Sequence, residues 1–260
     1  MSRPSIFITG AAAGIGRATA ELFASHGWFV GLYDVNEAGV RELAQRLGAA
    51  NSCAGRLDVT DAAQFASALA QFWEAAGQRL DLLFNNAGII SVGDFEKVAL
   101  ARYHVIVDVN LKGVLNGFHA GFDYLRRTPG ARAISMCSAS AIYGAPSFAL
   151  YGATKFAVRG LTEALNIEWR RHGITVMDVL PMYVDTALVA GFETRPKSMD
   201  VLGMSLTAED VARTVWRAAN WRLWPRVHWY PSWQGWFLAL TQKLTPGWFT
   251  RLTTRLVSGY

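Results

Sequence analysis

Ser5-Ile6-Phe7-Ile8-Thr9-Gly10-Ala11-Ala12-Ala13-Gly14-Ile15-Gly16 decides how this chain is read. Five residues of strand character run straight into a turn with glycines at 10, 14 and 16, and a helical pattern follows to about His26. Working outward, strand-like runs near 4–9, 28–34, 51–57, 80–85, 131–138, 174–180 and 226–230 alternate with helical stretches. That alternation is the pattern of βαβ units around a parallel sheet. Runs such as Trp28-Phe29-Val30-Gly31-Leu32-Tyr33 are apolar throughout, as expected for strands covered on both faces. The expected fold is α/β, a Rossmann-type doubly wound, mostly parallel seven-stranded sheet with helices on both faces.

At 260 residues one large domain suffices: 1–230 as the core, with 231–260 as an aromatic, basic extension of it. Met1 to Gly10 already enters the first strand, leaving no space for a charged leader and apolar signal, so a cytoplasmic protein is expected. Cys53 and Cys137 fall in strand-like stretches and read as buried thiols in a reducing compartment, with no metal site implied. The net charge of +5 is uneven. Beyond Asp210 there is no acidic residue, and seven of the ten tryptophans lie there. No internal repeat or low-complexity tract is present, and 191–205 has the Gly, Pro and Ser content of a mobile loop covering a substrate.

A glycine turn between a first strand and a helix has a physical use. Without Cβ atoms, the backbone around Gly10, Ala13, Gly14, Ile15 and Gly16 can approach a pyrophosphate, whose charge meets the helix N-terminus. Asp34 ends the second strand, about 20 residues on, where a carboxylate accepts from both adenosine ribose hydroxyls and repels a 2′-phosphate. No basic residue at Ala13 or Val35 could hold such a phosphate, so NAD is expected over NADP, with Arg17 the one nearby cation against it. The competing reading of Asp34 is a cap for the helix from Asn36 to Leu47.

With Asn85-Asn86-Ala87-Gly88 after the fourth strand, Ser138 after the fifth, and Tyr151-Gly152-Ala153-Thr154-Lys155 beyond it, the chain resembles the short-chain dehydrogenase/reductase family over about residues 4–230. The resemblance implies that Asp58 and Val59 contact the adenine. It also implies that Asn86, Ala87 and Gly88 line the adenosine ribose and sheet centre, and that Val184 and Thr186 hold the nicotinamide carboxamide. It makes Ser138 the catalytic hydroxyl in preference to Cys137, has Lys155 bond the nicotinamide ribose, and gives Asn110 a water-holding role in proton relay. Met182 stands where the family has glycine, which puts that contact beside the nicotinamide in doubt. The resemblance further implies a homodimer or homotetramer formed through 103–127 and 150–171.

The chemistry follows from the residue types. A phenol with pKa near 10 is a poor base at neutral pH. Tyr151 and Lys155, four apart on a helix, share a face, and the ammonium is expected to lower the phenol by two to three units, about 3 to 4 kcal/mol. Ser138 would orient the substrate oxygen and not attack it. Ser140 and Tyr183 are expected beside it, with Ile90, Ile142, Tyr143, Phe148, Met182, Leu188 and Phe192. Such an apolar lining favours a hydrophobic secondary alcohol or ketone as the substrate. The alternatives are an NADPH-dependent ketone reductase and, from another class, a nucleotide-binding scaffold without catalysis, which would have no need of Ser138, Tyr151 and Lys155. Nucleic acid is not an expected partner, because the basic residues sit in an aromatic tail with no recognition motif. Two readings of 231–260 stand. The favoured one has it packed on its own domain or a partner subunit; the other has it as a peripheral membrane contact, tryptophans at headgroup depth.

Overall fold

The computed structural model describes residues 3–186, 196–203 and 206–260. Seven strands form one sheet: β1 (Ser5–Thr9), β2 (Phe29–Asp34), β3 (Ser52–Arg56), β4 (Leu82–Asn85), β5 (Arg132–Met136), β6 (Thr175–Val179) and β7 (His228–Trp229). All neighbours are parallel, in the order β3-β2-β1-β4-β5-β6-β7. The order reverses between β1 and β4, which opens a crevice at the carboxyl ends of those strands.

Strand alternation survives inside the apolar runs. Ile6, Ile8, Val30, Leu32 and Phe84 point to one face, packed under α1 (Gly14–Ser25), α2 (Glu37–Leu47) and α8 (Ala208–Asn220). Phe7, Phe29, Tyr33, Leu83 and Val176 point to the other, under α3 (Ala62–Ala75), α5 (Gly113–Arg127) and α6 (Ala149–Glu168). A two-residue side-chain period thus fills two cores from one continuous apolar string.

The helical path through 103–127 is interrupted. α4 (Leu100–Val107) and α5 are joined by a wider π-type turn over Asp108–Lys112, which carries Asn110. Within the segment expected as a covering loop, α7 (Lys197–Leu202) forms, while 191–195 and 204–205 lie outside the described residues. The extension folds as α9 (Trp233–Leu244) and α10 (Gly247–Ser258), broken at Pro246.

Candidate active site

The site starts at α1. Asn36 caps α2, Asp61 caps α3, and a reciprocal Thr207/Asp210 box caps α8. α1 has Ala13 at its cap and no side-chain cap bond, so its first N–H groups face the crevice unshielded by the chain's own side chains. Gly10 is at φ +68°, and a Cβ there would lie 2.9 Å from Ala87 Cα. Gly16 has a different job from the one expected of it. A Cβ there would collide with the Gly10 carbonyl, so Gly16 lets α1 sit tight on the turn and does not itself face the cavity. Thr9 and Asn86 fix the turn: Thr9 Oγ1 accepts from the N–H of Asn86 and Ala87 at 3.0 Å, and Asn86 Nδ2 donates to the carbonyls of Thr9 and Gly10.

A cavity of about 710 Å³ opens from this turn across the sheet. Gly10, Ala13, Gly14, Ile15 and Asp34 line its α1 end, and Asn86, Ala87 and Gly88 line it too. Asp34 accepts from Ala12 N–H at 3.1 Å and Asn36 N–H at 2.9 Å, which aims the carboxylate at the cavity. Asn36, not Asp34, caps α2. An uncapped helix end, a turn without Cβ atoms and an aimed carboxylate suit a pyrophosphate and a ribose.

Ser138, Ser140, Tyr151 and Lys155 line the cavity as well, as do Tyr183, Val184 and Thr186, the last beside Gly14. The Ser138 hydroxyl accepts from the Ser140 N–H at 3.2 Å and opposes the upward shift of the Tyr151 phenol. Lys155 Nζ donates to the Met136 carbonyl at 2.8 Å and stands 5.6 Å from the centre of the Tyr151 ring. The expected acidified phenol is not what this geometry gives. Burial pushes Tyr151 up to about 12 against the opposing bond from Ser138, and burial also lowers Lys155. The cation is too far off and too committed to a carbonyl to offset the lost hydration.

Three other expected site residues do not reach the cavity wall. Asp58 Oδ1 accepts from the Thr60 hydroxyl at 2.7 Å and its N–H at 3.0 Å, closing a local turn, and Val59 is buried beneath Gly113. Asn110 is fully buried, exchanging 2.8 Å bonds with the N–H and carbonyl of Ile89 and donating to Thr154 Oγ1 at 3.3 Å. These bonds let its side-chain amide position the Gly88–Ile89 segment. A Cβ at Gly88 would stand 3.3 Å from Asn110 Oδ1 and 3.6 Å from Lys155 Nζ, so this glycine keeps the lysine open to the cavity.

Of the expected apolar lining, Ile90, Tyr143, Phe148 and Met182 are in place. Ile142 instead packs with Cys137, Ala141, Leu180 and Ala239, while Leu188 and Phe192 lie outside the described residues. Reading the sequence missed the roof: Leu238 of α9 and Thr253, Thr254 and Val257 of α10 line the cavity. Met182 lies against Gly235 of α9, so the chain's departure from glycine is matched by a missing side chain on the roof.

The family model for short chain dehydrogenases matches residues 4–197. The chain is a short-chain dehydrogenase. It is accordingly an oxidoreductase acting on CH–OH groups with a nicotinamide dinucleotide. This dehydrogenase is 34% identical over 184 residues to oxidoreductase UcpA of Salmonella typhimurium, covering 70% of this chain and 69% of that one. It is 30% identical over 211 residues to cyclohexanol dehydrogenase of an Acinetobacter species, covering 80% and 84%. A crystallised short-chain dehydrogenase/reductase of Burkholderia phymatum in complex with NAD superposes with a TM-score of 0.80 at 27% identity, covering 94% and 92%. Among the described residues of the dehydrogenase no helix is long and apolar enough to cross a membrane, and no His, Cys, Asp or Glu group is placed to hold a metal.

Proposed function

We propose that this dehydrogenase transfers hydride between NAD(H) and a hydrophobic secondary alcohol or ketone, with Tyr151 as the acid/base. The observation that carries the reading is the convergence of Ser138, Tyr151 and Lys155 on one apolar cavity that also holds the α1 terminus and Asp34. The dinucleotide supplies a hydride acceptor or donor. The chain's own part is to move the proton: the phenol gives it to the carbonyl oxygen in reduction and takes it from the hydroxyl in oxidation. Ser138 holds that oxygen within reach of the phenol, and Lys155 is the group that bonds the nicotinamide ribose.

NAD is favoured over NADP by the electrostatics around Asp34. Arg17, the cation that could meet a 2′-phosphate, is paired with Glu21 at 3.4 Å and Glu42 at 3.2 Å, and Arg46 is paired with Glu21 at 3.1 Å. Assembly, in this reading, uses α4–α5 and α6, where Leu100, Val105, Leu115, Phe156 and Ile167 are exposed. The test is a panel of apolar ketones and polar polyols assayed with both dinucleotides. Apolar ketones and NADH should give the higher kcat/KM, and Tyr151→Phe should lower kcat by about 10²–10⁴-fold with NADH binding retained. Preference for polyols, or activity surviving the substitution, overturns the reading.

A further inference from the structure

The two roof helices face the wrong way for a protein surrounded by water. On α9 the buried positions are Gly235 and Ala239, whereas Trp233, Trp236, Phe237 and Leu244 are 71%, 51%, 52% and 74% exposed. On α10 the buried position is Thr250, and Thr253, Thr254 and Val257 turn to the cavity while Trp248, Leu252 and Leu256 point outward. The fully buried positions carry small or hydroxyl-bearing side chains, Leu238 and Val257 reach the cavity, and the aromatic side chains go out. Scattered exposed leucines need no explanation, but exposed aromatic pairs, Trp233 with Phe237 and Trp248 with Phe249, on two successive helices mark a surface that something covers.

Charge chooses among the candidates. Lys243, Arg251 and Arg255 are exposed on the same two helices, and no acidic residue follows Asp210. A second copy seated on this face would bring cation against cation, which disfavours it. A surface that is negative outside and apolar beneath satisfies both features. Tryptophans settle at headgroup depth, leucines reach the acyl boundary, and arginine and lysine stems extend back to the phosphates. We propose that the outward face of α9 and α10 docks on a bilayer bearing anionic headgroups, so that the helices roofing the cavity on one side are seated in lipid on the other. The proposal stands independently of which alcohol or ketone is turned over.

The experiment is co-sedimentation of the full-length protein with vesicles of phosphatidylcholine, with and without phosphatidylglycerol. Two variants accompany it, Trp236→Ser/Trp248→Ser/Leu252→Ser and Lys243→Glu/Arg251→Glu. NADH binding by fluorescence verifies that each variant is folded, and gel filtration gives its oligomeric state. Wild type should pellet with the anionic vesicles, and each variant should bind them about ten-fold less or weaker. Wild type left in the supernatant, or binding that the aromatic substitutions leave unchanged, overturns the proposal. So does a change of oligomeric state in the aromatic variant with vesicle binding intact, which would identify a second copy as the occupant.

Discussion

Burial raises the Tyr151 phenol because the cavity removes water from it, while Lys155 directs its ammonium at the Met136 carbonyl. With the phenol pushed up to about 12, the proposed acid/base is in its protonated form in the neutral range, the form that the proposal needs for carbonyl reduction. Oxidation needs the opposite form, whose population grows as pH rises towards that value. Two outcomes are therefore expected of the free protein. Ultraviolet titration should show no tyrosinate assignable to Tyr151 below about pH 10, and alcohol oxidation should accelerate with alkalinity while ketone reduction does not. Tyrosinate absorbance near neutrality that disappears in Tyr151→Phe contradicts this account. The residue types and their helical spacing were legible in the sequence; the direction of the phenol's shift was not. It depends on how far the cation stands and what else it bonds, which four-residue spacing does not specify.

At the scale of elements, a buried polar set ties α6 to the sheet edge. Asp178 on β6 is fully buried, its Oδ1 2.8 Å from Nδ1 of His228 on β7, while His228 Nε2 stands 3.0 Å from Glu163 of α6. A carboxylate only accepts, so Nδ1 carries the hydrogen. Asp178 Oδ2 has no partner among the described residues, and burial pushes the carboxyl up. Removing the imidazole leaves this carboxylate buried with no hydrogen bond from His228. His228→Ala is expected to destabilise the fold by about 3 kcal/mol in urea unfolding at neutral pH. The sign with pH follows from the raised carboxyl: its charged form carries the penalty, so the loss in His228→Ala should shrink as pH falls and Asp178 takes up a proton. A loss that grows on acidification would contradict the role given to Asp178. The seven strands were legible because long apolar runs between turn residues have few other uses. The π-type turn at Asp108–Lys112 was hidden, since one added residue per turn leaves the helical composition unaltered.

On the scale of the whole molecule, residues 231–260 complete a cavity whose other walls come from the sheet ends. Tyr260 donates to Asp94 Oδ1 at 2.6 Å and stands 3.1 Å from the Ser147 hydroxyl, joining the roof to two loops on the opposite rim. Leu238 and Val257 line the same cavity as Ser138 and Tyr151, and the proposed function gives them to the substrate. Leu238→Ala is expected to raise KM for an apolar ketone about ten-fold, from the lost apolar contact at about 0.8 kcal/mol per methylene, with NAD affinity nearly constant. Steady-state kinetics beside NADH titration checks this, and an equal loss in both would place Leu238 elsewhere. What the sequence determined by itself was the sheet, the glycine turn on α1, Asp34 and the ordered Ser138, Tyr151 and Lys155. These are local signals, each set by a strand end, a turn or one helical face. Only the tertiary structure decided that Asp58 and Val59 stand off the cavity, that Asn110 braces Ile89, and that an aromatic tail closes the site with its small residues inward. Those outcomes depend on which distant surfaces meet, and no periodicity within a segment records what lies across from it.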